Sequence, residues 1–128
     1  MAKITTHNIE ISAVVNYWNQ QSIPKENHYF FVYFITITNN GNTPVQLLRR
    51  HWDIFDSNGE YRKVDGEGVV GETPVIEPGQ SFEYNSGCNL CTDMGCMEGY
   101  YTVMRLDTGE EFRVNIPRFE MVVPAKLN

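Results

Sequence analysis

The 128-residue chain carries 10 Lys and Arg against 16 Asp and Glu, a formal charge of −6, with 41% apolar and 20% charged residues. That balance belongs to a globular chain with its own core and excludes a disordered one. Eleven of the acidic side chains fall in residues 65–128 against four basic ones, and such a surface repels phosphate backbones, so general DNA or RNA binding is excluded.

In chain order, the opening MAKITTHNIEIS has neither the apolar segment nor the cleavage pattern of a secretory signal. IEISAVVNYW (9–18) alternates on one parity through Ile9, Ile11, Ala13, Val15 and Tyr17, the period of a strand. HYFFVYFITIT (28–38) is β-branched and aromatic on both parities, which predicts a central strand buried on both sides near Phe30 to Phe34. Its apolar run, YFFVYFI, falls far short of the ~20 residues of a membrane helix, and no membrane association is expected. The expected location is the cytoplasm. NNGNTP (39–44) turns the chain into a strand, VQLLRRHWDIF (45–55). Asn58-Gly59 then signals a tight hairpin. Further strands are predicted at 81–87, 99–106 and 111–117, separated by the turns EPGQ and DTGE. No window has helical period with start and stop signals. Seven to eight short antiparallel strands predict an all-β fold, an immunoglobulin/fibronectin type III-like β-sandwich of two antiparallel sheets. A single domain, 1–128, is expected at this length.

GEGVVG, Gly66 to Gly71, fits the G-x-G-x-x-G spacing of dinucleotide-binding loops. That chemistry needs a helix leaving the glycines, whose N-terminus holds the pyrophosphate. ETPVIEPGQ follows instead, with Pro74, Pro78 and β-branched Val75 and Ile76, so the dinucleotide fold is excluded. If Asn58-Gly59 is a two-residue turn, Trp52 faces Asp65, His51 faces Gly66, Arg50 faces Glu67 and Arg49 faces Gly68. Two readings follow. In one, the glycines mark a bulged strand with Arg50 paired to Glu67. In the other, exposed amides of Gly66, Gly68 and Gly71 combine with Arg49, Arg50 and His51 into an anion pocket; Glu67 and Glu72 would repel a phosphate there.

CNLCTDMGCM places Cys88, Cys91 and Cys96 close together with two methionines. Soft ligands of this kind suit a tetrahedral metal, but one C-x-x-C pair without a second is a weak metal signature. An odd count in a reducing compartment also argues against a disulfide framework. No cofactor is expected. Asp53 shares strand parity with His51 while Asp56 does not, and no catalytic motif is present; the chain is expected not to be an enzyme. Seven Tyr, seven Phe and two Trp exceed what a small core hides, so an exposed subset is expected to form a binding patch. A free sheet edge offers a second route, pairing with a partner's strand or with another copy in a homodimer.

PVQLLRRHWDIFDSNGE, VDGEGVVGETPVIEPGQSFEYNSGC, GCMEGYYTV and FRVNIPRFEMVVP closely resemble the bacterial ApaG family, also called CorD, over nearly the whole chain. The resemblance implies one fibronectin-like β-sandwich and no established catalytic activity. It implies links to cobalt resistance and magnesium efflux, and to protein–protein binding. It also implies a link to nucleotides, through a glycine motif that corresponds here to Gly66, Gly68 and Gly71 and through a gene neighbourhood shared with a diadenosine tetraphosphate hydrolase. Cys91 and Cys96 stand where the family pattern has ordinary loop residues. The expectation is a non-enzymatic binding module for an unidentified protein. The alternative is a binder of a nucleotide, diadenosine polyphosphate or pyrophosphate at the glycine loop, with a divalent cation.

Overall fold

The computed structural model describes residues 1–124. Nine strands are formed by these residues: β1 Ala2–Thr6, β2 Ile9–Tyr17, β3 Tyr29–Asn39, β4 Val45–Asp56, β5 Tyr61–Glu67, β6 Val75–Ile76, β7 Ser81–Leu90, β8 Met94–Arg105 and β9 Glu111–Val122. They build two antiparallel sheets, β1-β2-β3-β7 and β5-β4-β8-β9, the second widened by β6 on β4. Among the described residues two single 3-10 turns, Asn19–Gln21 and Pro24–Glu26, follow β2. Among the described residues no helix is long and apolar enough to cross a membrane.

The alternation read in the sequence becomes the core. Ile9, Ile11 and Ala13 of β2 and Phe31, Tyr33, Ile35 and Ile37 of β3 face the second sheet. There they meet Leu47, Trp52 and Ile54 of β4, with Tyr101 and Val103 of β8 and Val114 and Phe119 of β9. On one flank β1 lies against β9, where Asn115 N–H donates to Thr6 Oγ1 at 3.2 Å. On the other flank β5 and β7 are the edges of their sheets, bridged by Arg62 Nη2 donating to the Asn89 carbonyl at 2.6 Å.

Three expectations need correction. The β4–β5 connection has three residues, not two: Gly59 N–H donates to Asp56 O at 3.0 Å and Asp56 N–H to Glu60 O at 2.9 Å, with Gly59 at φ +93. A left-handed glycine after a type I turn takes up the extra residue as a bulge and matches the strand twist. The register therefore shifts by one, so that Arg49 faces Glu67, Arg50 faces Gly66, His51 faces Asp65 and Trp52 faces Val64. The cysteine segment, expected as loop, is the end of β7 and the start of β8 around a short turn. The outer face of β3 is buried only in part: Val32 is 6% exposed, Phe34 42%. Ala2–Thr6 adds a strand for which no element was predicted, with Ile4 paired to Ile11.

Candidate functional site

The glycine motif is built from its backbone outward. Gly66 pairs with Arg50 one residue before the end of β5, and a Cβ there would stand 2.7 Å from the Arg50 Cζ, so the missing side chain makes room for a guanidinium. Gly68 is left-handed at φ +59, buried, and donates its N–H to the Leu48 carbonyl at 2.8 Å. Val70 and Gly71, at φ +49 and +78, form the centre of a two-residue turn closed by reciprocal Val69–Glu72 main-chain bonds of 2.8 and 3.0 Å. Positive φ at both central positions is the I′ geometry of hairpins. The turn drives Val69 completely into the core and returns the chain to β4 as β6.

Alternation on β4 separates the three basic residues across two faces. Arg50 points inward with Trp52 and Ile54, and its Nη1 donates to the Glu67 and Gly68 carbonyls at 2.9 and 3.0 Å. It is thus held by the loop backbone; the expected pairing with the Glu67 carboxylate gives way to these bonds because the register places Glu67 beside Arg49. Arg49 and His51 point outward. Arg49 Nη2 reaches Glu111 Oε1 at 2.8 Å. His51 has both ring nitrogens engaged, Nδ1 with Asp65 Oδ1 at 2.6 Å and Nε2 with Asp53 Oδ2 at 3.1 Å. Of the six predicted site residues, Arg49, Arg50, His51 and Gly66 nevertheless border one groove, while Gly68 and Gly71 do not.

That groove, of about 560 Å³ across the larger sheet, is completed by Asp65, Glu67, Tyr100, Glu111 and Arg113. The Tyr100 ring stacks on His51 from β4 at 4.7 Å between centroids and carries the Arg113 guanidinium from β9 at 4.2 Å. Strands on either side of β8 thus occupy the ring, and both signs of charge line the floor. Tyr100 and Arg113 were not singled out as site residues from the sequence; their convergence on His51 depends on strand order, which short-range pattern does not carry.

Asp53 accepts from Tyr61 Oη at 2.5 Å. That hydroxyl is the main reason the Asp53 carboxyl lies below the ordinary carboxylate range, with His51 adding to it. A depressed carboxylate pKa stabilises the fold above the unfolded-state value and loses that contribution as pH falls through the folded value. Tyr61→Phe is expected to move the Asp53 titration upward, toward the ordinary carboxylate range; a carboxylate NMR titration of the two proteins reads this directly, and an unmoved Asp53 would contradict the assignment.

The cysteines scatter. Cys88 faces inward from β7 with Arg62 Nη2 at 3.5 Å from its sulfur, and burial pushes its thiol up to about 11. Cys96 is buried on β8, and burial raises its thiol too. Cys91 is exposed in the turn. Among the described residues the group with ligand atoms within 4.8 Å of one another is Asp56, Glu60 and Cys91. Asp56 in that group is buried and already accepts the Cys91 N–H at 2.6 Å and the Thr92 hydroxyl. Its carboxylate thus holds the β7–β8 turn across from its own hairpin.

The smaller sheet presents a different surface. Val14, Trp18, Ile23 and Phe34 are exposed large apolar side chains there, and Trp18 stacks on Phe30 at 6.3 Å. Phe34 lies directly across from Val14 on the neighbouring strand.

Residues 19–105 match the model of the ApaG domain. The chain is 47% identical over 124 residues to a Protein ApaG from Methylobacterium sp. strain 4-46, covering 97% of this chain and 95% of that protein. It is 45% identical over 128 residues, the whole of both chains, to a Protein ApaG from Bdellovibrio bacteriovorus. A crystal structure described as a putative ApaA protein from Bordetella pertussis superposes with a TM-score of 0.87 at 40% identity, covering 91% of this chain and 94% of that one. This chain belongs to the ApaG family.

Proposed function

We propose that this chain is a non-enzymatic binding module whose partner is a protein. The observation that carries the reading is the aromatic stripe on the outer face of the four-stranded sheet, where Trp18 is 45% and Phe34 42% exposed. Contiguous apolar surface of this kind is costly to leave in water and marks interfaces, and Trp is enriched where binding energy concentrates. Phe34→Glu places a charge on that stripe without entering the core, so stability is expected to change by less than about 1 kcal/mol. A protein captured from cell extract by the wild-type chain and lost by Phe34→Glu is the expected result. Retention of every captured protein by the variant would remove the stripe from the reading.

A small-ligand reading rests on a separate observation, the Arg49 and Arg113 guanidinia in one outward groove. Against it, the Gly68 amide is already bonded to Leu48, the Tyr100 ring is flanked by His51 and Arg113, and Glu67 and Glu111 line the same groove. Titration with diadenosine tetraphosphate, with and without Mg²⁺, tests it. Saturable shifts at Tyr100 and Arg113 would support a nucleotide or pyrophosphate ligand, and silence there would leave the protein-binding reading.

A further inference from the structure

The four edges of the two sheets are finished differently. β1 is five residues long, carries Lys3 and lies against β9. β9 carries Arg113, Pro117 and Arg118 and joins β8 through an irregular register. β5 carries Arg62 and Lys63 at adjacent positions. Charge, proline, bulges and short length are the devices that keep an edge from pairing with another chain. β7 has the least of them: over the ten residues SFEYNSGCNL it has no proline, and its one charged side chain is Glu83.

The main chain of β7 is ready for a neighbour. Asn39 N–H donates to the Gln80 carbonyl, which directs the even-numbered residues of β7 toward β3. By the alternation of an antiparallel ladder, the N–H and C=O groups of Glu83, Asn85 and Gly87 point to the open side. Asn89 obeys the same rule, since its carbonyl accepts from Arg62 on β5.

Behind that edge, between the sheets, lies a cleft of about 280 Å³ lined by Tyr33, Arg50, Trp52, Arg62, Ser86 and Cys88 among others. Among the described residues no Asp or Glu lines it, in a chain with 16 of them. Among the described residues neither Arg50 nor Arg62 has an ion-pair partner there; Arg50 docks on two carbonyls, and Arg62 on one carbonyl and the Cys88 sulfur. A guanidinium has five N–H donors, so both retain donors for an incoming anion.

We infer that β7 is the docking edge for an extended segment of a partner protein in which acidic and apolar side chains alternate. The inference rests on the binding-module reading and names the partner's chemistry. Such a segment adds to the sheet through the free groups of Glu83, Asn85 and Gly87. Its inward side chains enter the cleft, where carboxylates meet Arg50 and Arg62. Its outward side chains extend the aromatic face, because the Phe30 ring lies against Gly87 and Phe34 pairs with Asn85. A second copy of this chain fits less well: its own β7 would send Phe82, Tyr84, Ser86 and Cys88 inward and leave both guanidinia without a carboxylate.

The test is a backbone-amide NMR titration of the whole chain with a capped octapeptide of alternating valine and glutamate, and with its glutamine counterpart. Saturable shifts at Glu83, Asn85 and Gly87 are expected, with the glutamine peptide at least roughly tenfold weaker. Arg62→Gln should shrink that difference. Asn85→Pro should abolish binding while the rest of the spectrum stays in place, since the Asn85 N–H takes no part in the ladder with β3. Equal binding of the two peptides would overturn the inference, as would β7 shifts that depend on protein concentration without peptide and thus report a second copy. Silence at β7 would also overturn it; a captured protein still sensitive to Phe34→Glu would then show that the binding module survives without this edge.

Discussion

Gly68→Ala is expected to destabilise the protein by about 3 kcal/mol or more. Two causes add. A left-handed conformation at φ +59 costs an L-residue roughly 1–2 kcal/mol. The new Cβ would also overlap the Glu72 carbonyl oxygen and press on the Thr73 methyl. Relief requires the Val69–Glu72 turn to open, and that turn is what holds Val69 in the core with no exposed surface. Gly71→Ala is the matched control: it has the same sign of φ, at +78, but open space around it, so it should cost only about 1 kcal/mol. Urea denaturation of the pair separates strain from collision. A Gly68→Ala protein of wild-type stability that had lost nucleotide binding would make the motif a ligand loop, and the structural account of it would fall.

The sequence carried the period of the strands and therefore which side chains of β2 and β3 form the core. Ile9, Ile11, Phe31 and Ile35 needed no tertiary information. What failed were features decided by a single residue or by distant partners. Asn58-Gly59 is a strong turn signal, yet whether the loop has two or three residues depends on which residue of the pair takes positive φ. Only Gly59 does, and the register moved with it. The candidate site was legible in part. Arg49, Arg50 and His51 do border one groove, but a strand sends neighbours to opposite faces, so Arg50 turns inward onto the Glu67 and Gly68 carbonyls while Arg49 and His51 stay outside. The residues that share a surface with His51, namely Tyr100 and Arg113, come from strands whose order in the sheet is set by the whole topology. The excess of aromatic residues did point to an exposed subset. It could not say that Phe34 would be exposed, because both parities of β3 are apolar there and what covers the outer face is set by the rest of the fold.

Trp52→Ala should cost about 3–5 kcal/mol, the range for truncating a large buried ring. Trp52 is 2% exposed on the inner face of β4. Its ring lies 5.2 Å from Tyr33 of the opposite sheet and 5.9 Å from Phe119 of β9, and those two rings are 5.9 Å apart. Three rings from three strands thus tie the sheets together beside the β5–β7 cleft, and removing the largest leaves a void that rigid strands cannot close. Trp52→Phe separates packing from polarity. The indole N–H is buried without a hydrogen-bond partner among the described residues, and an unsatisfied buried donor costs roughly 1–3 kcal/mol. Losing it should offset part of the lost contact area, so the Phe variant is expected to fall within about 1.5 kcal/mol of wild type. Chemical denaturation of both variants checks the magnitudes, and amide exchange on β7 checks the location. Faster exchange along β7 in Trp52→Ala, but not in Trp52→Phe, is the expected pattern, because the ring supports the open flank of the sandwich. An Ala variant within 1 kcal/mol of wild type would mean that the sheets are held elsewhere, and that the flank carrying the free edge is set by the strand ladders alone.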